Sequence, residues 1–343
     1  MTQAITRIGF LTPGNFDNAN PYPGIEGTLE LIGFGERLGF DSAWVRQRHL
    51  EPGIGSAAVF FAAASQRTSR IELGSAVIQI GYESPFRLAE DLSMVDVLSR
   101  GRLNVGLSAG VPPHSQLIGH LVHDGDWTQH DLSHQRIARF RNHLDGAYLG
   151  DDDTFVQTPF GPQRPRLQPH AAGLADRLWY GAGSQRSARW AGENGFNLLT
   201  GNVISGEGTD DFHAAQINLI STWRAALGDK AGRVALGRVI VPTDSAPASR
   251  IAKYQAYAAG RLERTLKPQG ERRTLFPRDL VGPAEQIVEW LRDDPVLPLV
   301  DELRLELPYE FALSEYEQIL TDTITRIAPA LGWSAQASAI AAE

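Results

Sequence analysis

The chain of 343 residues contains no cysteine. This absence excludes disulfide bonds, thiolate metal sites and a cysteine nucleophile, and it is compatible with a reducing cytosol. Long hydrophobic runs are also missing, because glycine, arginine or an acidic residue interrupts every apolar segment before the roughly 18 residues that a membrane helix needs. The first residues, 1–9, carry no apolar signal core. We therefore expect a cytoplasmic protein without a membrane segment.

Basic residues are outnumbered, with 32 lysines and arginines against 40 aspartates and glutamates and a net charge of −8. The isoelectric point near 5.6 argues against a general binder of nucleic acid or of anionic membranes. Hydrophobic residues make up 42% of the chain, which is enough to bury a large core. The length fits either one large α/β barrel or two ordinary domains.

Strand-like and helix-like segments alternate along the chain with short connections, a pattern typical of a parallel sheet. Eight strands are predicted, at residues 7–12, 42–45, 71–80, 103–107, 178–181, 197–200, 234–241 and 303–307. Eight strands with intervening helices favour a closed (β/α)8 TIM barrel over an open sheet. The last helix is predicted to begin with a capping box of Ser314 and Glu317. We predict a single barrel domain over residues 1–332, followed by a disordered tail over 333–343.

The segment 70–110 has the pattern of one complete barrel unit, a strand, a capped helix and a second strand. Ser84 and Pro85 supply the cap and the first turn of the helix. A parallel strand returns by a right-handed crossover, so the strand exits at 75–77 and 108–110 should lie side by side at one edge of the sheet.

Two segments break the regular alternation. Residues 151–170, rich in glycine and proline, predict a short hairpin over the barrel mouth. Residues 242–280 form a long insertion after the seventh strand, and long insertions on the strand-exit face are commonly lids. Its basic residues could meet a phosphate or an acidic substrate, or they could form a solvated charged helix; they are Arg261, Arg264, Lys267, Arg272 and Arg273.

A second motif, WYGAGSQRSA at 179–188, runs from a short apolar strand through glycines into a helix. Gly183 permits close backbone approach, and the start of the helix points free N–H groups outward. Ser184 and Ser187 add hydroxyl donors one turn apart, and Arg186 can add positive charge. This arrangement suits a phosphate group, although an ordinary glycine turn with a serine cap has the same letters.

Four of the nine histidines cluster in the sequence, namely His120, His123, His130 and His134. They lack a ligand spacing with carboxylates on one element. No metal site is therefore predicted.

The segment 70–110 resembles a known family, the luciferase-like flavin monooxygenases, and the resemblance extends over residues 7–331. The matching residues are Gly74-Ser75-Ala76, Pro85, Ala89-Glu90, Asp96, Leu98-Ser99 and Gly101-Arg102. The resemblance implies a barrel that binds reduced FMN at the carboxyl ends of its strands and uses O2 to oxidise a small organic substrate through a flavin hydroperoxide. Since no nicotinamide-binding domain is visible, reduced flavin is expected from a separate reductase. The resemblance also implies a homodimer.

The resemblance also assigns cofactor-binding residues. The flavin phosphate would lie at Gly183, Ser184, Arg186 and Ser187. A non-proline cis peptide bond would join Ala76 and Val77 behind the isoalloxazine ring. Ser108 and Gly110 would border the flavin at the exit of the fourth strand.

After the second strand the family commonly reads Glu-His-His, whereas this chain has Gln47-Arg48-His49. Arginine cannot accept a proton near neutral pH, but it can stabilise a flavin or substrate anion. His49 is then the remaining acid/base candidate, with a structural histidine as the alternative. Arg48 and His49 are the predicted catalytic residues.

Two further interpretations stay open. A hydride-transfer enzyme that uses the deazaflavin coenzyme shares the barrel and the phosphate loop, and a basic strip leading out of the mouth would favour it. A non-catalytic, flavin-holding subunit is compatible with the letters Gln47-Arg48. An enclosed pocket beside His49 would argue against this second interpretation.

Overall fold

The computed structural model describes residues 5–335, and its central element is a closed parallel barrel. The barrel strands are β1 Arg7–Thr12, β2 Ser42–Val45, β3 Glu72–Ser75, β4 Leu103–Ser108, β5 Leu178–Gly181, β6 Asn197–Thr200, β7 Val234–Arg238 and β8 Glu302–Glu306. Each strand pairs in parallel with the next, and β8 pairs with β1 to close the ring. The predicted TIM barrel is confirmed, and β1, β2, β5 and β6 have the predicted bounds.

Helices pack around the outside of the barrel. They are α1 Tyr22–Leu38, α2 Ala57–Ser65, α3 Pro85–Leu98, α4 Ser115–Val122, α5 His134–Leu144, α6 Gln185–Glu193, α7 Phe212–Leu227, α8 Ala248–Arg261, α9 Ala284–Arg292 and α10 Leu313–Asp322. After α10 the helical path continues through a π-helical turn, Thr323–Ile327. None of the helices in the described residues is long and apolar enough to cross a membrane.

Side chains fill the interior of the barrel. Its apolar residues are Leu11, Trp44, Trp179, Leu199 and Ala235. The indole rings of Trp44 and Trp179 meet edge to face at 5.4 Å. Their N–H groups donate to Glu302 Oε1 at 3.0 Å and to Asn104 Oδ1 at 2.8 Å, respectively. Because the interior is packed, a ligand is confined to the mouth that the loops form at the carboxyl ends of the strands.

The exits of β3 and β4 lie side by side, as the crossover rule predicts. The predicted strand 71–80 is interrupted after Ser75 and resumes as the short strand Ile78–Gln79, which pairs with the end of β4. The interruption contains the peptide bond between Ala76 and Val77, which is cis, as the resemblance implies.

The hairpin predicted within 151–170 is present, with the antiparallel strands Val156–Thr158 and Gly161–Gln163. It connects α5 to β5, and a connection from a helix to the next strand lies at the amino-terminal ends of the barrel strands. The guanidinium of Arg141, near the end of α5, stacks over Phe196 just before β6, which places this helix end there too. The predicted position over the mouth was therefore wrong.

The start of α10 also differs from the prediction. Its N-cap is Ala312, and the carboxylate of Glu315 accepts the Ala312 N–H at 2.6 Å. The predicted capping box of Ser314 and Glu317 was therefore wrong by two residues. A carboxylate three residues into the helix satisfies the cap without a hydroxyl at the N-cap position.

Trp333 belongs to the barrel domain, although the sequence places it in the tail. Its side chain is buried, and its indole N–H donates to Asp41 Oδ2 at 2.9 Å. The predicted boundary at 332 is thus too early. The remainder of the predicted tail, 336–343, lies outside the described residues.

The insertion after β7 is built from regular elements. At its base, Ile240–Pro242 pairs in parallel with Leu280–Gly282. Between them lie α8 and a short strand, Thr274–Leu275, which pairs antiparallel with Ile204–Ser205. Because the N–H of Ser205 donates to the carbonyl of Gly183 at 3.1 Å, this pairing brings the insertion against the glycine loop after β5.

Candidate active site

The residues predicted to bind the cofactor line two adjoining cavities at the barrel mouth. The first, which we call the loop cavity, has a volume of about 610 Å³ and is lined by Ser108, Gly110, Gly183, Ser184, Arg186 and Ser187. The second, the barrel cavity, has a volume of about 270 Å³ and is lined by Ala76 and Val77. Both cavities share Gly181 and Gly183. One ligand can therefore reach into both.

The loop cavity is built around the first turn of α6. Ser184 is the N-cap, and its Oγ accepts the Ser187 N–H at 3.2 Å, while Ser187 Oγ accepts the Ser184 N–H at 3.2 Å. The serine cap that the letters allow is therefore present. Apart from Gly183 and its two chain neighbours, no atom of the described residues lies within 4 Å of the position that a Cβ would take at Gly183. A ligand can thus approach the backbone closely beside the cap.

An anionic side chain already lies at the start of α6. The carboxylate of Glu207 accepts the Gln185 N–H at 2.8 Å. The partial positive charge of a helix N-terminus stabilises such an anion, and Arg186 and Arg272 line the same cavity. The loop cavity is therefore suited to anions, and a phosphate there would lie close to Glu207.

Of the five basic residues noted in the insertion, Arg272 lines the loop cavity. Arg261 and Arg264 pair with Asp279, at 2.5 and 3.6 Å. A further ion pair joins the insertion to the loop after β6 through Arg273 and Asp210. Since three of these positive charges are paired with carboxylates, the insertion does not present them as a basic strip leading out of the mouth.

The barrel cavity combines apolar walls with buried charge. Arg46 and Glu306 line it and form an ion pair at 2.8 Å. Arg304 also lines it, is 3% exposed, and lies over the Trp44 ring at 5.1 Å. Burial lowers the pKa of Arg304, whereas the negative charges of Glu306 and Glu302 oppose that change.

Three buried polar atoms at the barrel cavity lack a hydrogen-bond partner within the described residues: Asn202 Oδ1, Arg304 Nε and Arg304 Nη1. A buried polar group without a partner costs roughly 1–3 kcal/mol, so such groups indicate a ligand or ordered water. Asn202 offers an acceptor and Arg304 offers donors. Together they suit a cyclic imide, in which an N–H lies beside carbonyl oxygens. The pyrimidine edge of a flavin is such an imide, so these residues fit a flavin ring.

Neither Arg48 nor His49, the predicted catalytic residues, lines the loop cavity or the barrel cavity. Arg48 contacts residues of its own loop. Its backbone N–H donates to the carbonyl of Ile54 at 2.9 Å, and its side-chain Nε is 3.9 Å from a carboxylate oxygen of Glu51. Of the two arginines after β2, the one that lines the barrel cavity is Arg46, the first residue after the strand. The structure therefore places Arg46, and not Arg48, at the barrel cavity, and the role of Arg48 toward a flavin anion stays a prediction.

His49 lies in a separate group formed by the loops after β2 and β3. Its ring meets Tyr82 edge to face at 5.0 Å, and its Nε2 is 3.3 Å from Gln47 Nε2. Gln47 Nε2 also donates to Glu83 Oε1 at 2.7 Å. Burial lowers the pKa of His49 and raises the pKa of Glu83. Sequence reasoning did not single out Glu83.

His134 is a further residue that sequence reasoning set aside. It lines the loop cavity, its Nε2 is 2.9 Å from the Tyr180 hydroxyl, and its ring stacks on Trp190 at 4.4 Å. Burial lowers the pKa of His134, and the nearby charge of Arg186 adds to this effect. Within residues 5–335, no group of three or more His, Asp or Glu side chains is arranged to hold a metal ion.

A closed parallel barrel with two adjoining cavities at the carboxyl ends of its strands defines the class of TIM-barrel proteins with a candidate site at the barrel mouth. The family model of luciferase-like monooxygenases matches residues 6–296. The chain therefore belongs to the luciferase-like monooxygenase family, as the resemblance in its sequence indicates.

Among curated relatives, limonene 1,2-monooxygenase from Rhodococcus erythropolis is 38% identical over 116 residues, which are 32% of this chain and 30% of the relative. The chain spans about half or less of the length of the curated relatives it matches. Several of these relatives are named as monooxygenases or as an oxygenase component.

Two solved structures have the same fold. The oxygenating constituent of 3,6-diketocamphane monooxygenase from Pseudomonas putida, in complex with FMN, has a TM-score of 0.69 at 14% identity, covering 95% of this chain and 99% of that chain. The coenzyme F420 dependent tetrahydromethanopterin reductase from Methanopyrus kandleri has a TM-score of 0.61 at 16% identity, covering 95% and 99%. At these identities the likeness shows the fold alone.

Proposed function

We propose that this protein is a flavin-dependent monooxygenase that binds reduced FMN at the barrel mouth and uses O2 to oxidise a small organic substrate. The observation that carries the proposal is the pairing of an anion-binding loop cavity with a barrel cavity whose unpaired groups suit a cyclic imide. FMN has these two chemistries at its two ends, a phosphate and a pyrimidine ring.

The phosphate would be held at the start of α6 by Ser184, Ser187 and Arg186, with Arg272 adding charge from the insertion. The ring edge would be held by Asn202 and Arg304. When bound, reduced FMN supplies two electrons, so that one atom of O2 enters the substrate and the other leaves as water. The apolar walls of the barrel cavity would exclude bulk water from this chemistry.

Hydride transfer with a deazaflavin coenzyme and without O2 is the second candidate, because a coenzyme F420 dependent reductase shares the fold. The pyrimidine edge is common to flavins and deazaflavins, so the barrel cavity suits both. The insertion favours FMN, since Arg261, Arg264 and Arg273 are paired with carboxylates instead of lining a path for an acidic tail.

Two partners belong to the proposal. A separate flavin reductase would supply reduced FMN, and a second copy of this chain would form a homodimer. Adjacent helices α2 and α3 expose apolar side chains that support pairing, with Val59 74% exposed and Met94 and Val97 each 50% exposed. Exposed apolar surface on neighbouring helices commonly marks a protein interface.

The test is an anaerobic titration of the purified protein with reduced FMN, reduced riboflavin and reduced coenzyme F420, followed by the change in cofactor absorbance. We expect FMN to bind at least about tenfold more tightly than riboflavin, because a phosphate in the loop cavity makes charge-assisted hydrogen bonds. Tighter binding of coenzyme F420 than of FMN would replace the proposal with hydride transfer.

A second measurement separates an enzyme from a flavin-holding subunit. The protein is loaded anaerobically with reduced FMN and then mixed with 18O-labelled O2 and a panel of small organic compounds. We expect at least one compound to acquire one labelled oxygen atom. Oxidation of the flavin with no labelled product from any compound would support the non-catalytic interpretation.

A further inference from the structure

The group around His49 contains a hydrogen-bond chain whose direction can be worked out from one backbone contact. The N–H of Ala57 donates to Gln47 Oε1 at 3.0 Å. A backbone N–H is only a donor, so the atom it contacts must be the carbonyl oxygen of the Gln47 amide. Gln47 is 3% exposed, and this contact fixes which end of its amide faces the histidine.

The other end of the amide is the NH2 group, which has two hydrogens to donate. One points to Glu83 Oε1 at 2.7 Å, and the other lies toward His49 Nε2 at 3.3 Å. A ring nitrogen that faces an NH2 group has to accept a hydrogen bond, because two donors cannot bond to each other. His49 Nε2 therefore carries no proton in this arrangement.

We propose that Gln47 is a positioning residue that holds His49 as the neutral tautomer with its proton on Nδ1. Gln47 engages Nε2, which leaves Nδ1–H as the ring group for any further partner. His49 then offers a hydrogen-bond donor, and not a base, to any ligand that reaches its ring. This last consequence rests on the proposed function, whereas the tautomer does not.

The groups that face His49 agree with a neutral ring. The ring of Tyr82, after β3, meets the His49 ring edge to face at 5.0 Å. In the described contacts, Glu83 reaches His49 through the Gln47 amide. On the loop after β2, Glu51 lies between Arg48, at 3.9 Å, and His114, at 3.7 Å. The described contacts thus place no carboxylate directly on the His49 ring.

The tautomer is measured by nitrogen NMR of the protein labelled with 15N-histidine, without any flavin. The variant His49→Asn assigns the His49 signals. In the wild-type protein at pH 8, we expect Nε2 to have the chemical shift of an unprotonated nitrogen and Nδ1 that of a protonated one. A protonated Nε2 in the wild-type protein would overturn the proposal.

Two substitutions at Gln47 test its role. Gln47→Leu removes the NH2 donor, and we expect the His49 proton to move toward Nε2, which is the preferred site in free histidine. Gln47→Glu places a carboxylate acceptor beside Nε2, and we expect a protonated Nε2 and a rise of at least 1 unit in the pKa of His49. An unchanged tautomer in Gln47→Leu would also overturn the proposal.

Glu83→Gln is the matched control, because it keeps the shape and an oxygen acceptor for the Gln47 amide. We expect the His49 tautomer to stay on Nδ1, since Ala57 still orients Gln47. Thermal unfolding of each variant shows that it is folded. A wild-type tautomer on Nδ1 in a protein that fails to bind FMN would refute the proposed function and leave this inference standing.

The proposed role of His49 as a hydrogen-bond donor is tested separately. The measurement is the pH dependence of kcat for the enzyme supplied with reduced FMN. In Gln47→Glu, we expect the acidic limb of the kcat profile to stay in place, because Nδ1–H donates from the neutral ring and from the protonated ring alike. A limb that moves upward by the shift in pKa that NMR measures for His49 would show that the ring must be unprotonated, as a base must be, and would overturn its role as a donor.

Discussion

Replacing Glu207 by glutamine should tighten the binding of FMN while slightly weakening the fold. The Glu207 carboxylate accepts the Gln185 N–H at 2.8 Å, at the helix start where the phosphate of FMN is expected. Two anions at one helix start repel each other, whereas a neutral glutamine keeps an oxygen acceptor for the same N–H. The substitution therefore removes repulsion without emptying the cap.

The size of the effect follows from Coulomb's law. A phosphate monoester carries about −1.5 to −2 charges at pH 7, and its separation from an exposed carboxylate in the same cavity would be about 6 Å. With a dielectric constant near that of water, the repulsion is about 1.0–1.4 kcal/mol, and physiological salt reduces it by roughly half. FMN binding should therefore tighten about two- to threefold at physiological salt and about five- to tenfold at low salt. Loss of the anion at the helix N-terminus should cost about 0.3–1 kcal/mol of folding stability.

The assay is a titration of wild-type protein and Glu207→Gln with reduced FMN and with reduced riboflavin, at low and at high salt. Riboflavin is the matched control ligand, because it has the same ring and no phosphate. We expect the gain for FMN alone, and we expect it to shrink at high salt. An equal gain for both ligands, or weaker FMN binding in the variant, would refute a phosphate site beside Glu207.

Four further substitutions test other parts of the structure. Ser187→Ala removes a hydroxyl at the loop cavity and should weaken FMN binding about tenfold in the same titration. Arg304→Met removes a buried cation with two unpaired N–H groups, so urea unfolding should show equal or higher stability, while FMN and riboflavin binding weaken alike. Trp333→Ala should lower the free energy of unfolding by about 3–5 kcal/mol, because the indole is buried and bonded to Asp41. Met94→Glu should convert the proposed dimer to a monomer in sedimentation velocity.

The barrel could be predicted from the sequence because its strands are short apolar segments between helices, and that alternation is a local property. The main deviation within a strand occurs at 71–80, where the path breaks after Ser75 and a cis bond follows. The letters of that segment are those of an ordinary buried strand. The hairpin was placed at the wrong end, although its position between a helix and the next strand already determines the end.

The site was predictable where a motif carries it and not where tertiary packing assembles it. The loop cavity collects residues of one sequence motif with Ser108 and Gly110 from a neighbouring strand exit. The barrel cavity is lined by Arg304 from β8. Charged residues occupy every second position of this strand, at Glu302, Arg304 and Glu306, and this alternation indicates that the charged side chains share one face of the sheet. Arg48 was chosen by matching letters, but the strand ends at Val45 and the first residue past it, Arg46, faces the cavity.

This chain has Gln47-Arg48-His49 where the family commonly reads Glu-His-His. The substitution changes which acid and base groups can exchange a proton in the loop after β2. This chain keeps one histidine and has a half-buried carboxyl, Glu83, on the neighbouring loop, but the neutral amide of Gln47 lies between them. An amide orients its neighbours through hydrogen bonds and does not pass a proton from one to the other, so His49 and Glu83 cannot act as a directly coupled acid and base. Any proton that His49 gives up must leave from Nδ1. The proposed tautomer therefore suits His49 to stabilise negative charge that develops on a ligand, and not to remove a proton from one.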